Sequence, residues 1–281
     1  MPAKPPPARD SALVAGGETI PVPPSTVERA TTVRQISRAC EVDRPLIPGD
    51  PRWLDLSPAR GDHAARKLLR RFEDKPARDP LHILFASHRG AGKSTELMLL
   101  QSHLPPRYHC LYFRVESKHR EEIKNELKKF PGSLLDSVNL LLDAAAQQLA
   151  GQELLILIDN LDRYPPAVVD ALLVRNGDRI RQLHCNLLLT PPIGLLYRPH
   201  SEQIDTYFPC EVMNTVRLRR PDQAYDAFDG RGRDLLLAAL DLRMDLATLL
   251  PDNRAYPTQE AETPRPGQRQ RLVEHVGRRC P

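Results

Sequence analysis

The amino-acid sequence predicts an α/β fold in which a five-stranded parallel sheet is sandwiched between helices. Between residues 45 and 220, short apolar runs alternate with longer segments of helical periodicity. The apolar runs are hydrophobic at nearly every position, which is typical of strands whose two faces are both covered. With 281 residues, of which 41% are hydrophobic, the chain is large enough to bury such a core.

The strands and helices can be assigned in chain order. The five apolar runs predicted as strands are 81–87, 108–115, 153–159, 185–190 and 210–218. Helices are predicted over 92–104, 119–129, 133–150, 166–173 and 177–183, the fourth with proline in its first turn. Residues 221–250 form a helical extension whose amphipathic stretch, 232–250, could begin a second helical domain or pack against the first.

The two ends of the chain are rich in proline and polar residues. Residues 1–44 are predicted to be a proline-rich, largely disordered segment, and residues 251–281 a polar tail. The first residues have no apolar region of the kind found in secretory signals, and no run of eighteen apolar residues occurs. We therefore expect a cytoplasmic protein without membrane association.

Cysteine spacing gives no metal or disulfide pattern. The five cysteines, which form no CxxC pair, are Cys40, Cys110, Cys185, Cys210 and Cys280. A dispersed, odd-numbered set is typical of reduced, structural thiols.

Arginine is abundant and clustered at 66–72, 217–220 and 277–280, although the net charge is only +4. Such clusters could contact nucleic acid or could be an ordinary solvated surface. No aromatic side chains that could stack on bases are interleaved with them, which favours the solvated surface.

The stretch "HILFASHRGAGKSTEL" (82–97) has the features of a phosphate-binding loop. It follows a predicted strand and precedes a predicted helix, so small residues can bring backbone N–H groups and the positive end of a helix to an anion. Lys93 can neutralise the terminal phosphates, and the Ser94 hydroxyl can bind Mg²⁺. The predicted nucleotide-binding residues are Ser87, His88, Arg89, Gly90, Ala91, Gly92, Lys93, Ser94 and Thr95.

Ser87 stands where this loop usually has its first glycine. That position mainly lets the chain turn sharply after the strand. Serine is small, and its cost is about 1 kcal/mol if the backbone there is left-handed. We expect the substitution to be tolerated.

The run "LLILIDNLD" (154–162) supplies carboxylates to the same site. Asp159, at the end of a strand, is predicted to hold Mg²⁺ opposite Ser94, although an aspartate there could also be a helix cap. Asn160 follows, where many ATPases have a glutamate that orients water. Asp162 could take over that catalytic role, or it could cap the helix that begins near Pro165.

Thr190 ends the fourth predicted strand. If that strand lies between the loop strand and the Asp159 strand, the Thr190 hydroxyl lies near the γ-phosphate and can sense it. The alternative is an ordinary threonine at a strand end.

Taken together, these motifs resemble the P-loop ATPases of the AAA+ and STAND type, in particular the bacterial group related to the origin-recognition ATPase domain. The resemblance covers about residues 45–220 and depends on the stretches 50–62, 87–97, 154–166, 176–197 and 211–220. It implies a sheet of strand order 5-1-4-3-2, ATP with Mg²⁺, and a nucleotide-controlled switch. It also implies that Trp53–Arg60 borders the adenine.

The chain departs from this family at Ser87 and Asn160. No winged helix or effector domain is recognisable after residue 220. Arg179, Arg181 and Arg198 are candidates for an arginine finger, but ordinary surface residues are the favoured interpretation because arginine is so common in this chain.

The sequence therefore predicts an ATP-binding module that hydrolyses ATP slowly and thereby drives or times a conformational switch. One alternative is a switch without hydrolysis, read by a partner protein or by a second copy of the chain. Another is an ATPase that handles nucleic acid, and a third is a small-molecule kinase. The partner is expected to be a protein, with nucleic acid less favoured.

Overall fold

The computed structural model describes residues 14–15, 18–19, 28–40, 45–77, 79–115, 132–198, 201–218 and 230–249. The predicted helix 119–129, the polar tail 251–281 and most of the first 27 residues lie outside the described residues. Near the amino terminus, β1 (Val14–Ala15) pairs antiparallel with β2 (Glu18–Thr19).

The main sheet has five strands that all run parallel, as the sequence predicted. They are β3 (His82–Ala86), β4 (Tyr108–Arg114), β5 (Glu153–Asp159), β6 (Asn186–Leu189) and β7 (Cys210–Val212). Their order across the sheet is β4-β5-β6-β3-β7.

The last strand is shorter than the predicted 210–218, because the chain leaves the sheet after Val212. The Met213 N–H still donates to the Ala86 carbonyl, but the Arg217 N–H donates to Ala59, outside the sheet.

The helices surround this sheet. They are α1 (Val33–Ala39), α2 (Ser57–Arg60), α3 (Ala64–Asp74), α4 (Lys93–His103), α5 (Gly132–Gln148), α6 (Pro166–Leu173), α7 (Gly177–Ile180), α8 (Ser201–Tyr207), α9 (Gly230–Asp241) and α10 (Leu246–Leu249). Two 3₁₀ turns cover Leu161–Arg163 and Ile193–Tyr197. Helices α1, α2, α3 and α8 were not predicted from the sequence, and α1 lies inside the segment expected to be largely disordered.

The strand side chains alternate between two hydrophobic layers, as the period of two in a strand requires. In β3, Ile83 and Phe85 pack into the layer that contains α3 and α4, whereas Leu84 packs into the layer that contains α6 and α8. In β6, Leu188 belongs to the first layer and Leu187 to the second. The sheet is therefore covered by helices on both faces.

The described part of the helical extension lies against the segment before β3. Helix α9 contacts α2. The predicted helix 232–250 is broken because Ala30 binds the intervening segment: the Ala30 N–H donates to the Arg243 carbonyl, and the Asp245 N–H donates to the Ala30 carbonyl. Within the described parts of the chain, no helix has the length and apolar character needed to cross a membrane.

Candidate nucleotide-binding site

The predicted phosphate-binding loop leaves the carboxyl end of β3 and leads directly into α4. Gly90 and Gly92 have φ values of +79° and +95°, a left-handed conformation that only glycine adopts without strain. Between them, the Ala91 N–H donates to the His88 carbonyl at 3.2 Å. Gly92 immediately precedes the first helical residue, Lys93. The two glycines are thus required by the turn that places the helix amino terminus at the loop.

Ser87 fits the loop without a backbone penalty. Its φ is not positive, so the strain considered for a serine at this position does not arise. The side chain is buried, and its hydroxyl donates to the Met213 carbonyl at 2.8 Å. Ser87 also bridges Pro192 in parallel. The serine therefore ties the start of the loop to the segments after β6 and β7.

Lys93 forms a buried ion pair with Asp162. Nζ lies 2.7 Å from Oδ2, and the two side chains are only 6% and 9% exposed. The same ammonium donates to the carbonyls of Ser87 and His88 at 3.2 and 3.3 Å. Asp162 does not cap the next helix, whose N-cap is Pro165 without a side-chain hydrogen bond. Asp162 is thus brought to the loop as the counter-ion of its lysine.

Asp159 is the centre of a hydrogen-bond network at the end of β5. Oδ2 accepts from the Ser94 hydroxyl at 2.5 Å and from the Tyr112 hydroxyl at 2.8 Å. Oδ1 accepts from the Thr190 hydroxyl at 2.8 Å. The carboxylate is only 1% exposed. Burial, followed by the nearby Asp159 charge, raises the pKa of Tyr112 above its usual range, so its hydroxyl stays a donor.

The backbone conformation at position 160 favours asparagine. Its φ of +70° is left-handed, and asparagine tolerates this conformation better than other residues with a side chain. Its N–H donates to Asp159 Oδ1 at 2.7 Å and to Thr190 Oγ1 at 3.0 Å. Asn160 therefore turns the chain so that Asp162, three residues after Asp159, reaches Lys93.

Strand β6 lies between β3 and β5, which was the condition for the prediction that Thr190 lies near the γ-phosphate. The side chain is fully buried, with its hydroxyl engaged with Asp159 and with the Asn160 N–H. This hydroxyl thus acts on the position of Asp159 directly.

The oxygen donors at this edge suit Mg²⁺ bound together with a nucleotide. Ser94 and Asp159 supply a hydroxyl and a carboxylate within 2.5 Å of each other, and Mg²⁺ prefers oxygen ligands, of which a protein often provides only one or two beside phosphates and water. Among the described residues, no group of three His, Cys, Asp or Glu side chains could hold a metal ion alone. The residues fit a metal that arrives with phosphates and do not form a separate metal cage.

A cavity of about 490 Å³ adjoins the loop. Small-molecule sites usually measure roughly 300–1,000 Å³. The predicted adenine-bordering segment supplies one wall, the loop and α4 a second, and the helical extension a third. Residues from these walls include Trp53, Leu56, Arg60, Ala91, Leu99 and Ala239. The cavity is therefore wide enough for a nucleobase and opens beside the phosphate-binding residues.

The other predicted residues are placed less centrally. The side chains of His88 and Arg89 are exposed on the loop. The Thr95 hydroxyl accepts the Leu46 N–H at 3.4 Å and lies in the cavity wall, not with Ser94 at Asp159.

The three arginine-finger candidates lie in or beside α6 and α7. Arg198 pairs with Asp170 of α6, Arg179 is part of α7, and Arg181 lines a different pocket with Asp143 and His184.

Three residues that contribute to this arrangement were not predicted as site residues. Tyr112 sits inside a strand, and no signal in the sequence separates it from the core tyrosines. Glu96 is a buried acid in the first turn of α4. The signal that could have identified it is a charged residue at a helix position that is otherwise apolar. Arg60 was included only as the end of the adenine-bordering segment. Its 2.7 Å ion pair joins it to Glu96.

The cysteines in the described residues take no part in the site. Cys40, Cys110, Cys185 and Cys210 are free thiols. Burial raises the pKa of Cys110 and Cys210 to about 12, so these thiols stay protonated and are weak nucleophiles.

Comparison with known proteins adds no relative: no protein-family model matches this chain, and no curated protein sequence matches it.

Proposed function

We propose that this protein is an ATP-binding P-loop module that hydrolyses ATP with Mg²⁺ and so drives or times a conformational switch. The observation that supports it most directly is the convergence of Lys93, Ser94, Asp159 and Asp162 beside one glycine loop. These residues come from two separate stretches of the chain, and they meet next to a cavity of nucleobase size. A glycine turn with a chance lysine would not bring these partners with it.

In the binding step, the triphosphate replaces Asp162 as the ion-pair partner of Lys93. The ammonium now held by Asp162 and two carbonyls is suited to the β- and γ-phosphates, and the amino terminus of α4 adds favourable charge. The nucleoside occupies the cavity next to Trp53 and Leu56. Bound Mg²⁺ would neutralise charge on the phosphate oxygens, with Ser94 and Asp159 as its protein ligands.

In the hydrolysis step, Asp162 orients water. Once Lys93 turns to the phosphates, the Asp162 carboxylate is released and can accept a hydrogen bond from a water molecule. That water attacks the γ-phosphorus, the bond to the bridging oxygen breaks, and ADP and phosphate leave. Thr190 holds the carboxylate of Asp159 in a fixed orientation during this step.

The fold also supports the proposed family. Numbered along the chain, the five strands of the sheet stand in the order 5-1-4-3-2, which is the order that the resemblance to AAA+ and STAND ATPases implies. We place the protein in the cytoplasm and expect its switch to be read by a protein partner or a second copy.

The alternative is a switch that binds ATP without hydrolysing it. The Lys93–Asp162 pair supports this version too, since an aspartate that serves only as a counter-ion need not orient water. Asn160, where many ATPases have a glutamate, is consistent with it. The two versions differ in phosphate release and share the same binding site.

The test of binding compares two buried lysines. Lys93→Ala is expected to abolish measurable ATP binding, because the phosphates lose their main counter-charge. Lys75→Ala is the matched control. Lys75 is 5% exposed and pairs with Glu153 at 2.6 Å, near the start of β5 and far along the strand from Asp159. Its loss should lower stability and leave ATP affinity unchanged.

Affinity is measured by calorimetry with ATP, GTP and adenosine, and folding of each variant is checked by circular dichroism. Equal ATP affinity in wild type and Lys93→Ala would overturn the proposed site. Equal weakening by both lysine variants would show that only general destabilisation is being measured.

A further inference from the structure

We infer that Arg60 is a positioning residue that sets the shape of the phosphate-binding loop and joins it to the cavity beside it. This inference rests on the proposed nucleotide site and assigns the residue that makes its two halves act together. Arg60 lies at the end of α2, in the segment before β3, and it reaches the loop across the wall of the cavity.

The guanidinium of Arg60 makes two contacts on the far side of that wall. Nη1 donates to Glu96 Oε1 at 2.7 Å, and Nη2 donates to the Ala91 carbonyl at 2.5 Å. The side chains of Arg60 and Glu96 are only 6% and 10% exposed. Glu96 is fixed in turn, because its Oε2 accepts the Ala65 N–H at 3.3 Å. Arg60 thus links the middle of the loop to the first turn of α4 and to the start of α3.

The loop is built around this guanidinium. Ala91 lies between the two left-handed glycines, so its carbonyl direction is set by the same turn that shapes the loop. A Cβ added at Gly92 would lie 3.1 Å from Arg60 Nη2. Gly92 therefore accommodates both a positive φ and the close approach of Arg60, and a planar guanidinium fits this narrow space with two donors at once.

The same side chain also faces the cavity. Arg60 is one of its lining residues, and the buried Nε has no hydrogen-bond partner among the described residues. A buried donor without a partner is uncommon and favours an acceptor supplied by a ligand or by water. A ligand in the cavity would therefore contact Arg60, the residue that holds the Ala91 carbonyl.

The helical extension is connected to the same point. Helix α9 of the extension packs against α2. Arg217, in the segment between β7 and the extension, donates its N–H to the Ala59 carbonyl at 3.2 Å, one residue before Arg60. Movement of the extension would therefore be transmitted to α2 and, through Arg60, to the loop. This is the route by which a bound phosphate could be communicated to a partner that reads the extension.

A residue that shapes the loop can be distinguished experimentally from a residue with a general structural role. If Arg60 shapes the loop, its loss weakens the binding of phosphates much more than the binding of the nucleoside. Arg60→Met keeps the length and apolar stem of the side chain and removes both hydrogen bonds. We expect ATP affinity to fall about 10- to 100-fold, as for loss of charge-assisted hydrogen bonds, and adenosine affinity to change less than about threefold.

Arg60→Lys should lie between wild type and Arg60→Met, since an ammonium keeps the charge and cannot span Glu96 and Ala91 as a fork. Arg70→Met is the matched control, because Arg70 is an exposed arginine of α3 that is not among the residues lining the cavity. Its ratio of ATP to adenosine affinity should equal that of wild type.

A second measurement needs no ligand. Hydrogen exchange at the amides of residues 88–92 should be faster in Arg60→Met than in wild type and Arg70→Met. A proportional loss of ATP and adenosine affinity in Arg60→Met, with unchanged exchange in the loop, overturns the inference while the nucleotide site stands. If wild type binds neither ligand, the proposed function and this inference both fall. If Arg60→Met does not fold, the same ratio and exchange are measured on Arg60→Lys.

Discussion

The two ends of the parallel sheet both bury polar side chains, and they use them differently. At the amino end, the Asn186 side chain accepts the Leu81 N–H and donates to the Leu154 carbonyl, so it spans three strands. Lys75 and Glu153 form one ion pair there. At the carboxyl end, three side-chain hydroxyls donate to the single carboxylate of Asp159, and a second ion pair lies inside the loop.

This difference separates a structural arrangement from a candidate site. The side chains of Asn186, Lys75 and Glu153 at the amino end satisfy backbone groups and one another, which closes the gaps between strands. At the carboxyl end, oxygen donors and a lysine from separate segments converge next to a cavity. Burial of polar groups is common to both ends, and only the convergence beside open space indicates ligand binding.

The largest expected effect comes from neutralising, one at a time, the two acids at the ends of β5. Asp159 and Glu153 are the last and first residues of β5. Asp159→Asn should remove the Mg²⁺ dependence of ATP binding and lower phosphate release about 100-fold, because the metal loses its carboxylate. Glu153→Gln should change only stability. Binding is measured with and without Mg²⁺, and thermal melting is recorded for both variants. Retained Mg²⁺ dependence in Asp159→Asn would remove Asp159 from the metal site.

A change at Asp162 is expected to affect phosphate release and to spare ATP binding, and it distinguishes hydrolysis from a pure switch. Asp162→Asn should leave ATP binding as tight as in wild type or tighter, because Lys93 loses its competing counter-ion. Phosphate release should fall about 100-fold if the carboxylate acts on water. Release is followed over time with excess ATP. Equal, measurable release from wild type and variant would exclude the catalytic role, and no release from either would favour the non-hydrolysing switch.

The smallest effect on function is expected at His82, at the amino end. Burial lowers the pKa of His82 to about 4, below its ordinary value of 6.5. Between these two pH values, His82 is protonated in the unfolded chain and neutral in the folded protein. The free energy of unfolding is therefore highest above about pH 6.5 and decreases as the pH drops towards 4. The loss is about 2 kcal/mol at pH 5. Urea unfolding at pH 7.5 and pH 5 should show it, and His82→Gln should lack it. ATP affinity at pH 7.5 should be the same in both proteins.

The sheet itself could be predicted from sequence because each strand is a continuous apolar run. The run 153–159 coincides with β5, and 166–173 coincides with α6. Helix α3 is amphipathic, with Ala64, Ala65, Leu68 and Phe72 buried, so its pattern is present in the sequence and was missed. Helices α1 and α2 could not be recognised in the same way. Helix α1 has seven residues and buries none of them, so it leaves no apolar stripe in the sequence. The end of β7 was also missed, because polar contacts outside the sheet decide where it stops.

For the site, the sequence indicated the residues that carry chemistry and missed those that hold them in place. Lys93, Ser94, Asp159 and Thr190 follow from motif and order, since the carboxyl ends of parallel strands share one edge. Tyr112 was missed because a tyrosine in an apolar strand has no distinguishing pattern.

The sequence by itself determined the chemical groups and the edge of the sheet where they meet. It did so because strand order along the chain and glycine spacing are local properties. Only the tertiary structure decided that Asp162 pairs with Lys93, that Arg60 reaches Ala91 and Glu96, and that the extension closes the cavity. Each of these contacts joins segments distant along the chain, and their distances depend on how the helices pack on the sheet.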